Sequence, residues 1–183
     1  MKNLNIGKKI AAVFGVVLVV ASATTVVGLW QLDKVTVSTR NLMETPLAKE
    51  RLVSDWYRTI YGGSRRTIAI AKSADSSLVK FFADDSAQGT REVEALIAKV
   101  KPLLNSPEEQ RLVKEISDAR AVNNEMRIAV AKARAAGDND TANRLIDEKY
   151  VPVSKQYQAR LRELVEMQRK SIDAEARKIE QAS

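Results

Sequence analysis

The chain has 183 residues, with 30 Lys+Arg against 23 Asp+Glu, no His and no Cys. Those absences exclude a Ser-His-Asp or Cys-His relay, a zinc site of the His/Cys kind and any disulfide framework. Ala occurs 24 times while aromatics make up 5% of residues, a balance that favours helices over sheet and argues against an enzyme.

Lys2, Lys8 and Lys9 precede an uncharged run of 23 residues, Ile10 to Leu32, with Trp30 near its far end and Asp33 after it. At about 1.5 Å per residue the run reaches roughly 35 Å, enough to cross a hydrocarbon core of about 30 Å. The lysines and the interfacial Trp30 predict a cytoplasmic N-terminus over 1–9, a transmembrane helix over 10–32 and a domain outside the cytoplasm over 33–183. Ala21-Ser22-Ala23 resembles a cleavage site, but nine uncharged residues follow it, which favours an uncleaved anchor.

Beyond Asp33 the breakers are few. Ser73-Ala74-Asp75-Ser76-Ser77 is a small polar cluster that ends one helix and caps the next. Asn105-Ser106-Pro107-Glu108-Glu109 is a start signal, with Ser106 as cap, Pro107 in the first turn and two glutamates at the positive end of the helix dipole. Gly137-Asp138-Asn139-Asp140 is a second stop and start. Helices are predicted over about 34–73, 76–104, 107–136 and 139–183. Val53, Trp56, Ile60, Gly63, Thr67 and Ile70 form an apolar seam on the first, and Leu112, Ile116, Ala119, Asn123, Met126, Val130 and Ala133 on the third. Short connections force neighbours antiparallel. The predicted fold is all-α, an up-down-up-down antiparallel four-helix bundle preceded by one transmembrane helix. Pro46 and Pro152 should kink or interrupt their helices. Gly62-Gly63 reads either as tolerated weakness or as a flexible or closely packed patch beside a site.

Arg51, Arg58, Arg65 and Lys72 recur every seven residues, with Arg66 alongside; Arg120, Arg127 and Arg134 repeat the spacing on the third helix. Such stripes are ordinarily solvated faces, but height along the bundle brings these together. Arg58, Arg65, Arg120, Arg127, Tyr61 and Tyr150 fall roughly 13 to 25 Å below the tip near Ala74 and Gly137. The seam there carries Gly63, Thr67 and Asn123 where a purely structural core would carry Leu and Ile. The candidate ligand-binding residues are therefore Arg58, Tyr61, Arg65, Arg66, Arg120, Asn123, Arg127 and Tyr150. Arginine forks with tyrosine hydroxyls suit a small anionic ligand, a di- or tricarboxylate such as malate, succinate or citrate, or an amino acid. Arg58 and Arg65 point away from their own core and would reach a ligand at a symmetric dimer interface, whereas Arg120 and Arg127 could serve a site within one bundle; both arrangements stay open. Asp84-Asp85 and Asp138-Asn139-Asp140 read as helix ends or solvated surface, and no metal or cofactor is expected. Nucleic acid is not expected either, because basic residues are interspersed with acidic ones.

The opening Met1-Lys2-Asn3-Leu4-Asn5-Ile6-Gly7-Lys8-Lys9, the membrane run closing on Gly28-Leu29-Trp30, Pro46, the Arg65-Arg66 pair, and the Gly137-Asp138 turn followed by Ala142, Leu145, Tyr150 and Pro152 resemble a known pattern. The chain is similar to the N-terminal part of bacterial methyl-accepting chemotaxis proteins with a four-helix-bundle sensor. That resemblance implies a homodimer in the inner membrane with a periplasmic sensor. Ligand binding would shift the last helix and act on a cytoplasmic kinase and adaptor through a second membrane helix, a HAMP relay and a signalling hairpin that this chain lacks. It also implies that arginines of the first outer helix hold ligand carboxylates, with Arg58, Arg65 and Arg66 as the matching positions. The sensor of a histidine kinase and a membrane-anchored structural coiled coil with no small ligand are the competing readings.

Overall fold

A computed structural model describes Gly15, residues 44–73, Asp75 and residues 77–181. The predicted segment 1–9, the membrane helix 10–32 apart from Gly15, and the stretch 34–43 lie outside the described residues. Among the described residues no helix is long and apolar enough to cross a membrane. The chain divides into two compact units, Met1–Glu44 and Thr45–Ser183, and the bundle is the second.

Helix α1 covers 44–72. At its end Ser73 Oγ accepts from the Asp75 amide at 3.0 Å and Asp75 Oδ1 accepts from the Ser77 amide at 2.8 Å, which starts α2 (Ser77–Phe81). The expected single helix over 76–104 is broken at Phe82, whose φ of −96° and ψ of 10° leave the helical range before α3 (Ala83–Val100). The Phe82 ring is engaged elsewhere: it lies 4.8 Å from Phe81, edge to face, and 5.7 Å from the Arg66 guanidinium. Pro102 has no N–H for an α ladder, so α3 closes in a 3₁₀ turn over Lys101–Leu103.

Helix α4 (Pro107–Ala135) begins with the predicted capping box. Ser106 Oγ accepts from the Glu109 amide at 3.2 Å, and Glu109 Oε2 accepts from the Ser106 amide at 2.9 Å. It ends where predicted. Gly137 takes φ 75°, the Asp138 amide reaches back to the Ala133 carbonyl and the Gly137 amide to that of Arg134, which closes the orphan carbonyls. Asp138 then caps α5 (Asn139–Leu145) by accepting from the Thr141 amide at 3.0 Å. A π turn, Ile146–Tyr150, joins α5 to α6 (Val151–Gln181). Pro152 thus neither ends nor sharply breaks the fourth limb; the chain widens by a turn just ahead of it.

Side-chain pairs fix the directions. Descending α1 from Glu50 through Tyr57 and Ser64, the partners on the last limb run backwards through Arg169, Arg162 and Ser154. On α4, Glu109 and Glu115 meet Gln168 and Arg160, again antiparallel. Lys49–Glu109 and Ser73–Arg134 set α1 parallel to α4. The fold is the predicted all-α, up-down-up-down four-helix bundle.

The core lies in two pieces. The larger joins Val53, Trp56, Val93, Val100, Leu104, Leu112, Ile116, Tyr157, Leu161, Leu164 and Val165. The smaller, toward the Gly137 end, joins Ala71, Val130, Ile146 and Tyr150. Between them, in chain position on each helix, sit the buried polar residues Ser64, Asn123 and Ser154. The α1 seam departs from the expected one at this level: Ser64 and Ala71 are buried, not Gly63 and Ile70. A straight α-helix drifts about 20° per heptad against a seven-residue repeat, so the buried stripe from Val53 moves one position on within two heptads.

Candidate ligand-binding cavity

A cavity of about 670 Å³ opens beside the polar layer, between α1, α3, α4 and α6. Four arginines line it: Arg58 and Arg66 from α1, Arg120 and Arg127 from α4. Gly62 and Gly63 form part of the α1 wall, and a Cβ placed on either meets nothing within 4 Å. The pair is therefore open space beside the cavity rather than a close-packed patch. On α3, Gly89 and Thr90 contribute, with Asp85 and Glu92.

The arginines differ in how far they are already engaged. Arg58 is paired with Asp55 one turn before it. Arg120 lies 3.8 Å from Glu94, a loose contact. Arg66 rests on the Phe82 ring. Among the described residues no carboxylate pairs with Arg66 or Arg127. Arg66 and Arg127 therefore line the cavity without an ion-pair partner, while Asp85 and Glu92 line it from α3.

The inner wall carries donors without acceptors. Asn123 is 6% exposed and its Nδ2 has no hydrogen-bond partner among the described residues, a cost of about 1–3 kcal/mol for a buried group unless something in the cavity accepts from it. Tyr150 is buried to 1% exposure and lines the cavity. Tyr157, also on the wall, accepts at its hydroxyl oxygen from Trp56 Nε1 at 2.9 Å. Its own proton then remains free to be donated. Burial pushes the Tyr157 hydroxyl up to about 12, against the opposing pull of Trp56 and Arg120, so it stays protonated at neutral pH.

Residues 3–182 match the family described as a four helix bundle sensory module for signal transduction. The chain belongs to that family. No curated protein matches it. The resemblance to the N-terminal sensor part of methyl-accepting chemotaxis proteins is borne out by this membership, and the sensory module's signalling role is what the family carries.

Within the sensory module, six of the eight predicted site residues meet at the cavity: Arg58, Arg66, Arg120, Asn123, Arg127 and Tyr150. Tyr61 and Arg65 are not on its wall. They are exposed on the outer side of α1, where Arg65 Nη2 donates to the Tyr61 hydroxyl at 3.2 Å and the guanidinium lies 5.2 Å from the ring. Arg58 lines the cavity, contrary to the expectation from the sequence that it faces away from the core. Tyr157 was missed. Its signal was available in the seven-residue step from Tyr150, the same spacing that had singled out the arginines. Ser64 and Ser154, joined at 2.7 Å, were missed because serine on a helix carries no pattern of its own.

Proposed function

We propose that this sensory module binds a small carboxylate ligand in the 670 Å³ cavity and relays its occupancy along the bundle as part of a transmembrane chemoreceptor. The observation that carries the reading is the coincidence of unpaired Arg66 and Arg127 with the partnerless Asn123 amide around one cavity. Cationic forks and neutral donors together match a carboxylate, which accepts on both oxygens. Asp85 and Glu92 on the α3 side have no ion-pair partner among the described residues, and they favour a ligand that also bears an ammonium group over a tricarboxylate. An amino acid satisfies both walls; a dicarboxylate such as succinate satisfies the arginines alone.

In this reading the chain is a homodimer held in the inner membrane by the run from Ile10 to Leu32, with the bundle in the periplasm. The outer stripe of Arg51, Tyr61 and Arg65 is the surface offered to a second copy, and the cavity is complete within one bundle.

Calorimetric titration of the full chain in detergent against a panel of amino acids and di- and tricarboxylates tests the reading, with sedimentation in parallel. Saturable heat with one carboxylate is the expected result. Silence across the panel would overturn the small-ligand reading. Saturable binding that requires dimerisation would move the site to an interface between copies.

A further inference from the structure

Among the described residues three arginines lie over aromatic rings, and one of the three is unlike the others. Arg65 lies 5.2 Å from the Tyr61 ring and also donates to the Tyr61 hydroxyl at 3.2 Å. Arg162 lies 5.6 Å from the Tyr57 ring and donates to the Tyr57 hydroxyl at 2.9 Å. Arg66 lies 5.7 Å from the ring of Phe82, and phenylalanine has no hydroxyl to accept from it. The attraction is between the charge and the negative face of the ring, so it uses none of the five guanidinium N–H donors. Arg58 is held differently again, by the carboxylate of Asp55, which takes up donors and offsets the charge. Arg66 is thus a cavity arginine that is held while its donors and its charge stay available: no hydrogen bond or ion pair engages it among the described residues.

The ring is itself fixed. Phe82 sits at the break between α2 and α3, with φ −96° and ψ 10°, yet backbone bonds hold it from both sides. Its amide donates to the Leu78 carbonyl and its carbonyl accepts from the Ser86 amide, each at 3.0 Å. Phe81 packs edge to face against it at 4.8 Å, although Phe81 is 74% exposed. A ring left so far in water gains little from burial, and its aromatic contact is with Phe82. Phe82 is not on the cavity wall, whereas Arg66 is. A guanidinium held in place before a ligand arrives loses less freedom on binding. We propose that Phe82 is a positioning residue for ligand binding: its ring face holds the Arg66 guanidinium at the cavity and leaves the fork free for a carboxylate. This role rests on the carboxylate reading of the cavity.

The contact and its consequence are read separately on the full chain in detergent. In the ligand-free chain the Arg66 Nε–H proton resonance, assigned by its absence from Arg66→Ala, should carry a ring-current offset that Phe82→Leu removes. A resonance that Phe82→Leu leaves in place overturns the holding. Calorimetry with aspartate and succinate reads the consequence. With the probe that gives heat, Phe82→Leu should weaken binding about fivefold, the scale of one cation–π contact. Arg66→Ala should weaken it at least about tenfold. In that background Phe82→Leu should have no further effect, because a residue that acts only through Arg66 has nothing left to act on. A loss of about fivefold that persists in the Arg66→Ala background gives Phe82 a contact or a structural role of its own and overturns the positioning. Unchanged affinity in either single variant overturns it as well. No heat with either probe in the parent chain overturns the carboxylate reading, while the resonance still decides whether the ring holds the guanidinium.

Discussion

Trp56 Nε1 donates to the Tyr157 hydroxyl oxygen at 2.9 Å, joining α1 to α6 just below the polar layer. Both side chains are buried, at 2% and 1% exposure. The bond satisfies the indole in the core and holds the phenol at the cavity wall. Tyr157→Phe should therefore cost about 1–3 kcal/mol by leaving the indole N–H unpaired, and should also weaken carboxylate binding. Urea denaturation followed by tryptophan fluorescence reads the first effect and calorimetry the second. A variant as stable as the parent would show that the indole finds another partner.

At the other end of the larger core, Glu109 ties three helices together. One oxygen closes the capping box with Ser106, and the other accepts from Lys49 of α1 at 3.0 Å and Gln168 of α6 at 2.9 Å. Burial pushes its carboxyl up, but the Ser106 amide, Lys49 and Gln168 together outweigh that and hold it at about 2, against an ordinary 4.5. Because the folded value is the lower one, the stabilisation is fully present above about pH 5 and is lost as pH falls toward 2. The amount is on the order of 3 kcal/mol. Glu109→Gln should be destabilised at pH 7 and should show a flatter loss of stability between about pH 5 and pH 2. Parallel acid limbs in the two proteins would rule out Glu109 as a source of that dependence.

The arginines separate a cavity site from an outer one. Arg127→Ala should reduce carboxylate affinity at least about tenfold, the scale of one charge-assisted contact, with little change in thermal stability because no ion pair is broken. Arg65→Ala should leave affinity unchanged, since the side chain is engaged with Tyr61 on the outside. The opposite ranking would place the ligand on the outer face of α1.

Gly62 and Gly63 line the cavity where added methyl groups meet nothing. Alanine at either position should raise helix stability by about 1 kcal/mol. It should also intrude on the ligand. Thermal denaturation and titration together check this exchange of affinity for stability, and a stabilised variant with full affinity would show that the ligand does not approach this wall.

Ser154 donates to Ser64 at 2.7 Å and accepts from Gln158 at 3.1 Å. Ser64→Ala should cost about 1 kcal/mol, and adding Ser154→Ala should cost less than the sum of the two single changes, because the pair then leaves together. Strict additivity in a double-mutant cycle would mean that the contact contributes nothing.

Much of this architecture is legible in the sequence because helix ends are local chemistry. Ser106, Glu109 and Gly137 act through neighbours within a few residues, so their roles follow from reading order alone. The seam of α4 is legible for a similar reason: Leu112, Ile116, Asn123 and Val130 hold one stripe without needing a partner to define it. What is not legible depends on contacts across the bundle. Phe82 breaks the second limb because an arginine on α1 and Phe81 take its ring, and neither is near enough in chain pattern to announce it. The wide turn is encoded by four-residue steps among Ala142, Ile146, Tyr150 and Ser154, yet Ala and Ser are too common on helices for the step to stand out. Arg65 and Arg66 are adjacent and chemically alike, and only the 100° between neighbours on a helix sends one outward and the other to the cavity.

The division of the core by Ser64, Asn123 and Ser154 has a mechanical consequence. The part toward Glu109 is held by eleven buried apolar residues, the part toward Gly137 by Ala71, Val130, Ile146 and Tyr150. Apolar burial scales with area, so the free energy resisting local opening is concentrated at one end. The bundle is a rod of graded stiffness, clamped at its foot and compliant at its head, and the cavity sits at the change in stiffness. A ligand in the cavity, as proposed, would brace the weaker Gly137 end against the stronger Glu109 end.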